Sequence, residues 1–300
     1  MMVGGDNMSF YIETNNLTKQ YKTKRAINNV NIHVNKGDIY GLIGRNGAGK
    51  TTLMKLLLGL IAPTSGTISL LSENNETARK KIGSLIEEPG LYKNATAYEN
   101  MLRFSILYGA NVDDINPILE KVGLPNETRK VREYSLGMRQ RLGLAIALLN
   151  KPEVLILDEP INGLDPAGIK EFRNIILKLN KEGVTFIISS HILDELAKIV
   201  TTYGFLSDGE LIEEFSATEL KSKCTDFGKI ATNDNTKALA LIEQNFPDSK
   251  AKINNKYIEV SSTDKLAELN EMLVKNGILV NELTRNTESI EDYFIGRLGK

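Results

Sequence analysis

The sequence predicts an α/β fold with a buried parallel sheet at its centre. Val154–Leu157 and residues 184–188 are continuous apolar runs, which are typical of strands buried on both faces of a parallel sheet. Between them, Pro166–Lys181 has apolar residues at helical spacing, and Gly183 follows its end. This alternation of strands and helices favours a layered α/β core.

Two earlier strands are predicted at residues 29–34 and 38–43. In the first, apolar residues alternate strictly with polar ones, and the second ends in a glycine-rich loop. Thr96 and Glu99 have the spacing of a capping box and predict a helix to about Tyr108. Few strand patterns follow before Glu133. We therefore predict a mostly helical subdomain, at about residues 94–150, inserted into the α/β core.

The character of the sequence changes near Ala217, which predicts a main domain at 9–222 and a small α+β domain at 223–300. From Lys229 onward the pattern is strand, helix, strand, strand, helix, strand, helix, as in a split βαβ unit. Asn254-Asn255 is the predicted hairpin turn.

One helix of this small domain has predictable ends. Thr263-Asp264 are predicted to cap a helix that ends near Gly277 and carries Leu266, Leu269 and Leu273.

Composition excludes several classes of protein. The chain is 41% hydrophobic and 25% charged, which is typical of a globular protein and not of a disordered one. A net charge of −1 provides no overall attraction to nucleic acid or to an anionic membrane. The single cysteine, Cys224, excludes an internal disulfide and fits a reducing cytosol. We expect no secretory signal and no membrane-spanning segment, because the most apolar run, residues 142–149, is too short to cross a bilayer.

The strongest functional pattern is the glycine-rich segment from Gly44 to Thr51, which matches a phosphate-binding loop between a strand and an apolar helix. Glycines let backbone N–H groups turn towards phosphate oxygens, and the helix N-terminus adds the positive end of a dipole. Lys50 is predicted to bridge the terminal phosphates, and the Thr51 hydroxyl is predicted to bind Mg²⁺. The predicted nucleotide contacts here are Gly44, Asn46, Gly47, Gly49, Lys50, Thr51 and Thr52.

Two carboxylates form a second pattern. Asp158 and Glu159 follow the apolar run Val154–Leu157, at the strand end where ligands bind in open α/β sheets. Asp158 is predicted to hold Mg²⁺ or its waters, and Glu159 to orient and deprotonate the attacking water. An acidic surface turn is the alternative, and the phosphate-binding loop makes it the weaker one.

These residues resemble the ATP-binding-cassette ATPases, and three further motifs support the resemblance. Residues 134–141, Tyr-Ser-Leu-Gly-Met-Arg-Gln-Arg, resemble the signature motif of that family; residues 162–165 resemble its D-loop, and His191 resembles its switch histidine. The resemblance covers about residues 10–217. It implies a P-loop NTPase core with an antiparallel β edge, ATP and Mg²⁺ as ligands, and ATP hydrolysis with Glu159 and His191 in the catalytic set.

The resemblance also implies partners. A second copy of the chain is expected in a head-to-tail dimer, in which ATP lies between the phosphate-binding loop of one copy and Ser135 and Gly137 of the other. Tyr21 matches the aromatic residue that stacks on adenine. A polytopic membrane permease is the expected partner, so the chain is expected in the cytoplasm, peripherally on the inner face of the cell membrane. No nucleic-acid partner is expected.

Two departures from the family pattern stand out. The signature has Leu136 and Met138 where glycine and glutamine are usual, which puts the polar contacts of that glutamine in doubt. Glu87 replaces a glutamine that contacts Mg²⁺ or water and senses the permease. We predict that Glu87 is a metal ligand in the catalytic set, a surface acid being the alternative.

Glu87 and residues 134–138 together resemble the ATPases of bacitracin- and lantibiotic-type exporters. The predicted function is therefore to power export or clearance of a peptide antibiotic. The alternatives are a non-transport ATPase of the same superfamily acting on nucleic acid or ribosomes, an exporter of another substrate such as lipid or polysaccharide, and a nucleotide-binding regulator without turnover.

Overall fold

The chain divides into two compact units, Met1–Thr218 and Glu219–Lys300, and the boundary falls inside a helix at Ala217–Lys223. The computed structural model describes residues 10–87, 89–124, 128–290 and 292–293. The functional domains predicted at 9–222 and 223–300 stay a prediction. The strands of the first unit are Ile12–Tyr21 (β1), Lys24–Val30 (β2), His33–Val34 (β3), Ile39–Ile43 (β4), Ser65–Leu70 (β5), Ile82–Leu85 (β6), Val154–Leu157 (β7), Thr185–Ser190 (β8), Thr202–Ser207 (β9) and Glu210–Ser216 (β10).

A six-stranded sheet in the order β10-β9-β4-β8-β7-β6 forms the centre of the first unit. All neighbouring strands in it are parallel except β9 and β10. The predicted strand at Val154–Leu157 is confirmed, and all of its residues are buried. The strand predicted at 184–188 begins one residue later and continues to Ser190. The predicted parallel α/β core is therefore present.

An antiparallel edge sheet consists of β2-β1-β3, with β5 also paired to β1. The single strand predicted at 29–34 is wrong, because β2 ends at Val30 and β3 starts at His33. The Thr14 hydroxyl donates to Val30 O at 2.9 Å and accepts from Ile32 N–H at 3.0 Å, so a side chain replaces the ladder there. Asn29 also has a left-handed backbone, with φ 49°.

Seven α-helices lie in the described part of the first unit: Lys50–Leu57 (α1), Asn75–Arg79 (α2), Ala97–Tyr108 (α3), Ile115–Lys121 (α4), Leu136–Ala147 (α5), Pro166–Lys181 (α6) and Leu193–Leu196 (α7). Helix α8, Ala217–Lys223, crosses the boundary between the units. The predicted capping box is confirmed, because Thr96 and Glu99 exchange both hydrogen bonds. Helix α6 has the predicted bounds, and the Asp165 carboxylate caps its N-terminus. The segment predicted as a helical subdomain contains α3, α4 and α5.

Helix α1 is fixed by burial of one face. Leu53, Met54, Leu56 and Leu57 are 0% exposed and pack with the apolar residues of β1, β2 and the central sheet. Full burial of one such side chain contributes about 1.5–3 kcal/mol. The packing therefore sets the direction in which the first turn of α1, Lys50 and Thr51, points.

The second unit has its own sheet and core. Its elements are Asp226–Thr232 (β11), Asn235–Asn245 (α9), Lys252–Asn254 (β12), Tyr257–Val260 (β13), Leu266–Lys275 (α10) and Val280–Thr287 (β14). The strands pair antiparallel in the order β12-β13-β11-β14, as expected for a split βαβ unit. Its buried cluster includes Ile230, Ile258, Leu269 and Leu273. The final predicted helix lies partly outside the described residues.

Two details of the second unit differ from the prediction. Asn254 pairs with Tyr257, so the turn residues are Asn255 and Lys256 and not Asn254-Asn255. Thr263-Asp264 do not cap α10, because the helix starts at Leu266 after Lys265 and has no side-chain cap. Gly277 does follow the helix end, with φ +74°. None of the helices within the described residues is both long enough and apolar enough to span a membrane.

We expect truncation after Ser222 to leave a folded ATPase, because the second unit has a separate buried core. The ATPase rate should stay within about twofold of the full chain, and the thermal unfolding transition should remain cooperative. Rates and unfolding should be compared with those of the full chain. Loss of nucleotide binding in the truncated chain would show that the segment belongs to the catalytic core.

Candidate active site

The glycine-rich loop joins β4 to α1 at the carboxyl end of the central sheet. A Cβ atom at Gly44 would lie 2.3 Å from Leu206 O, so only glycine fits between the loop and β9. Gly49 has φ +112°, and a Cβ atom there would lie 2.6 Å from Ala26 O. Glycine is therefore required at both positions, because a neighbouring carbonyl oxygen leaves no room for a side chain.

Lys50 is nearly buried and closes the loop on itself. It is 6% exposed, and its ammonium donates to Gly44 O at 2.6 Å and to Arg45 O at 3.3 Å. The same Nζ lies 3.3 Å from Glu159 Oε1. A buried cation thus stands beside the loop with one carboxylate as its charge partner.

Asp158 lies opposite Thr51 at the end of β7. The Thr51 hydroxyl donates to Asp158 Oδ2 at 2.6 Å, and the Ser189 hydroxyl donates to Asp158 Oδ1 at 2.5 Å. Asp158 is only 7% exposed, so these two bonds satisfy a nearly buried carboxylate. Sequence analysis missed Ser189, although its place at the end of a buried strand, two residues before His191, was a usable signal.

Glu159 has a strained backbone that Ser189 holds. Its φ is 47°, in the left-handed region, and its N–H donates to Ser189 Oγ at 2.8 Å. His191 Nδ1 lies 2.7 Å from Glu159 Oε2, and because a carboxylate only accepts, Nδ1 carries the proton. Glu159 Oε1 is buried with no hydrogen-bond partner, and its contact with Lys50 is an ion pair only. Glu159 therefore has one oxygen fixed by His191 and one free to accept.

Lys50, Thr51 and Glu159 border an open pocket of about 590 Å³, whereas Asp158, Ser189 and His191 are not among its lining residues. Eight predicted site residues line it: Tyr21, Asn46, Gly47, Gly49, Lys50, Thr51, Thr52 and Glu159. Five residues that sequence analysis did not single out complete the lining: Lys24, Arg25, Ala26, Asp208 and Gly209. They come from the start of β2 and from the β9–β10 turn, which the sequence alone does not place beside the loop.

Tyr21 is 47% exposed at the rim of this pocket. The Lys19 ammonium lies 5.1 Å from the centre of the Tyr21 ring and donates to Ala62 O at 2.6 Å. The Lys19 ammonium therefore covers one face of the Tyr21 ring. Tyr21 is also one of the residues that line the pocket. This arrangement is compatible with stacking of a planar base on the opposite face.

Ser135 and Gly137 lie elsewhere in the first unit and are not among the residues lining the pocket. Ser135 caps α5, and its Oγ accepts from Met138 N–H at 3.2 Å. A Cβ atom at Gly137 would meet nothing closer than 3.6 Å, so packing within the chain does not require glycine there. The signature thus presents an exposed helix N-terminus.

Glu87 is not among the pocket-lining residues either. Its side chain is 66% exposed, its φ is 61°, and its Oε1 lies 2.7 Å from Lys55 Nζ on α1. The hydrogen bond donated by Lys55, and its charge, lower the pKa of Glu87, and the same bond raises the pKa of Lys55. Both groups are therefore charged at neutral pH, and the role of Glu87 as a metal ligand stays a prediction.

Known proteins resemble the chain over most of its length. Residues 27–162 match the family described as ABC transporter. The chain is 44% identical to the bacitracin transport ATP-binding protein BcrA of Bacillus licheniformis, over 97% of this chain and 98% of that protein. It is 50% identical to the lantibiotic transport ATP-binding protein SrtF of Streptococcus pyogenes, over 68% of this chain and 90% of that protein.

A solved structure shares the fold of the first unit. It is the dimeric, post-hydrolysis state of the ATP-binding cassette MJ0796 bound to ADP and Pi, with a TM-score of 0.61 and 25% identity over 69% of this chain and 98% of that one. The predicted resemblance to the bacitracin and lantibiotic branch is confirmed by the two sequence relatives. The chain therefore belongs to the ATP-binding-cassette transporter family and is an ATP-binding, ATP-hydrolysing member of it.

Proposed function

We propose that this ATPase powers a separate membrane permease that exports or clears a peptide antibiotic of the bacitracin or lantibiotic type. The observation that carries the proposal is the similarity to BcrA along nearly the whole of both chains, the second unit included. Shorter similarity, confined to the nucleotide-binding unit, would support ATP hydrolysis but not a substrate class. The proposed location is the cytoplasmic face of the cell membrane, where the permease would hold the chain.

The contacts around Glu159 support its role as the base in hydrolysis. Its free Oε1 is a carboxylate oxygen without a hydrogen-bond donor, 3.3 Å from the Lys50 ammonium. A bound terminal phosphate would compete with Glu159 for Lys50 and leave that oxygen available for the proton of the attacking water. His191 holds the other oxygen at 2.7 Å and so orients the carboxylate.

The donor set beside Lys50 fits Mg²⁺. Thr51 and Asp158 present hard oxygen atoms 2.6 Å apart, on adjoining elements next to the buried ammonium. Within the described residues there is no cluster of three or more acidic, histidine or cysteine side chains that would form a complete protein cage. Mg²⁺ is commonly held by one or two protein oxygens together with substrate phosphates and water. When bound, it would neutralise charge on the phosphates, while Thr51 and Asp158 hold it in place.

A second copy of the chain is proposed to complete the site. Ser135 and Gly137 do not line the pocket of their own chain, yet the α5 N-terminus is open and Gly137 leaves room for a close approach. An exposed helix N-terminus attracts phosphate oxygens. The dimeric state described for MJ0796 supports the same arrangement for this chain.

Glu87 is proposed to act through its pairing with Lys55. Lys55 is one turn beyond Thr51 on α1, and its ammonium is under the charge of both Glu87 and Asp158. An exposed ion pair contributes little stability, so the side chains of Lys55 and Glu87 can separate readily. In the paired state Glu87 is kept away from the metal position, and in the open state it is free to approach it.

We expect Glu159→Gln to keep ATP binding but lower the hydrolysis rate by about a hundredfold or more, because an amide cannot accept the proton from water. The ATP-bound dimer should then accumulate, as measured by size-exclusion chromatography with MgATP. Glu182→Gln is the matched control, since Glu182 makes an exposed ion pair with Lys121 outside the pocket. A fast-hydrolysing, persistently monomeric Glu159→Gln chain would contradict both the base and the dimer.

We expect Glu87→Gln and Lys55→Met to shift the Mg²⁺ dependence of hydrolysis in opposite directions. Removing the carboxylate should raise the Mg²⁺ concentration for half-maximal rate by about twofold to fivefold, and releasing Glu87 from Lys55 should lower it. ATPase rates are titrated with Mg²⁺ at saturating ATP. Glu271→Gln, which breaks the exposed pair with Lys275, should change nothing.

The double variant separates two explanations for Lys55. If Lys55→Met acts by releasing Glu87, its effect should vanish in the Glu87→Gln background. An effect that persists there would mean that Lys55 acts on Asp158 directly. Superimposable titrations of wild type and Glu87→Gln would leave Glu87 a surface acid.

We expect co-expression of this chain with a membrane permease that co-purifies with it to raise the bacitracin concentration that stops growth of a sensitive host. The Lys50→Ala chain should give no protection, because the terminal phosphates lose their main counter-charge. Growth is measured across a bacitracin series, with a lantibiotic series in parallel. Unchanged tolerance to both, with a permease that co-purifies in detergent, would point to another substrate such as a lipid or polysaccharide.

A further inference from the structure

Ser189 is a buried hydroxyl at the end of β8, beside the paired carboxylates that follow β7. Leu157 and Ile188 are partners in the parallel ladder, so Asp158 and Ser189 leave their strands side by side. Ser189 is 0% exposed, and its side chain is therefore out of reach of bulk solvent. Its partners within the protein decide how its hydroxyl points.

The direction of both hydrogen bonds at this hydroxyl follows from the chemistry of its partners. A carboxylate only accepts, so the single hydroxyl proton points at Asp158 Oδ1, 2.5 Å away. The Glu159 N–H only donates, so it uses a lone pair of the same oxygen, at 2.8 Å. A side chain that only donates or only accepts would lose one of the two bonds. This position therefore calls for a group that does both.

Ser189 joins two residues that have different proposed roles. The second oxygen of Asp158 accepts from Thr51 at 2.6 Å, in the pair that fits Mg²⁺. Glu159 has a φ of 47°, a left-handed backbone that is unfavourable for a residue with a side chain. A continuous chain of hydrogen bonds thus runs from the proposed metal position, through Ser189, to the backbone of the proposed base.

The end of β8 holds Glu159 at a second point as well. His191 Nδ1, two residues after Ser189, lies 2.7 Å from Glu159 Oε2. Ser189 fixes the backbone of Glu159 and His191 fixes its carboxylate, so the direction of the side chain depends on both. Displacement of a reacting group by about 1 Å can lower a rate by on the order of a hundredfold.

We propose that Ser189 is a positioning residue for ATP hydrolysis, whose hydroxyl couples the metal-binding carboxylate Asp158 to the orientation of Glu159. The inference rests on the proposed function, in which Glu159 is the base and Asp158 lies beside Mg²⁺. Ser189 is not among the residues that line the nucleotide pocket, so it acts through these two neighbours. Any movement of Asp158 towards the metal is transmitted by the shared hydroxyl to the Glu159 N–H.

Ser189→Ala should lower kcat by about tenfold and raise the Mg²⁺ concentration for half-maximal rate by about twofold to fivefold, because both hydrogen bonds are lost. The dissociation constant for ATP without Mg²⁺ should stay within about twofold, since Lys50 and the glycine-rich loop are unchanged. Ser105→Ala is the matched control. Ser105 is also 0% exposed, but its hydroxyl donates at 2.8 Å to Leu102 O within α3. Its kcat and Mg²⁺ dependence should be those of the wild type.

Two further variants separate positioning from folding. Ser189→Thr keeps a hydroxyl and should restore kcat to within about threefold of the wild type. Ser189→Cys nearly keeps the volume but is a weak donor and acceptor, so it should unfold close to the wild-type temperature and still lose rate. A wild-type kcat in both the alanine and the cysteine variants would overturn the proposal, as would a loss of ATP binding as large as the loss of rate.

The double variant with Glu159→Gln distinguishes this inference from the proposed base. If Ser189 acts through Glu159, Ser189→Ala should lower the residual rate of the Glu159→Gln chain by no more than about twofold. An equal tenfold loss in both backgrounds would overturn the positioning role and leave the base in place. Wild-type hydrolysis by Glu159→Gln alone would instead remove the base itself.

Amide exchange in the nucleotide-free chain provides a measurement that needs neither metal nor hydrolysis. The Glu159 N–H should exchange about tenfold faster in Ser189→Ala than in the wild type, because its buried acceptor is gone. It is followed by NMR on chain labelled with ¹⁵N-glutamate. Ser105→Ala should leave it unchanged and Ser189→Thr should restore it. Equal exchange in the wild type and Ser189→Ala would show that Ser189 does not hold the backbone of Glu159.

Discussion

The site depends on one constraint: three parallel strands end side by side, and a single serine ties two of those ends together. Strand β4 leads into the phosphate-binding loop, β7 leads into Asp158 and Glu159, and β8 ends at Ser189 and Ser190. Ser189 donates to the Asp158 carboxylate and accepts from the Glu159 N–H. Without it, Asp158 would be a nearly buried carboxylate with one donor fewer, and the left-handed backbone at Glu159 would lose its anchor.

This constraint explains why each charged group of the site has a partner within the protein. Lys50 is nearly buried and neutralises Glu159, while Thr51 satisfies Asp158. A buried charge without a partner is costly, so each group is held by another member of the site. A triphosphate with its metal offers the same groups stronger partners. In the proposed mechanism, ligand binding exchanges one set of charge contacts for another and leaves Glu159 with an oxygen free to act on water.

The departures from the family pattern concern the parts of the site that face outward. Leu136 and Met138 flank Gly137 at the open N-terminus of α5, and Glu87 lies on the surface with Lys55. Lys50, Thr51, Asp158, Glu159 and Ser189 contact one another at the strand ends. A substitution at any of them would leave a polar neighbour without its partner. Variation between relatives of different substrate class is therefore expected where the chain meets its partners.

Much of the fold follows from local pattern. The continuous apolar run of β7, the spacing of α6 and the capping box of α3 are short-range features, and the structure has all of them. One error arose where a distant group intervened, and another at the start of a helix. Thr14, on another strand, splits the strand predicted at 29–34, and α10 begins after Lys265 without the side-chain cap predicted at Thr263-Asp264.

The sequence by itself determined the phosphate-binding loop, the paired carboxylates and the order of the motifs, because glycine spacing and strand ends are encoded locally. Only the tertiary structure decided which residues meet them. Ser189, the pocket lining at Lys24, Arg25 and Asp208, and the pairing of Glu87 with Lys55 all join segments that are far apart in the chain. Such contacts depend on strand order and on the direction of side chains across the sheet. The hydrophobic pattern of a single segment specifies neither of them.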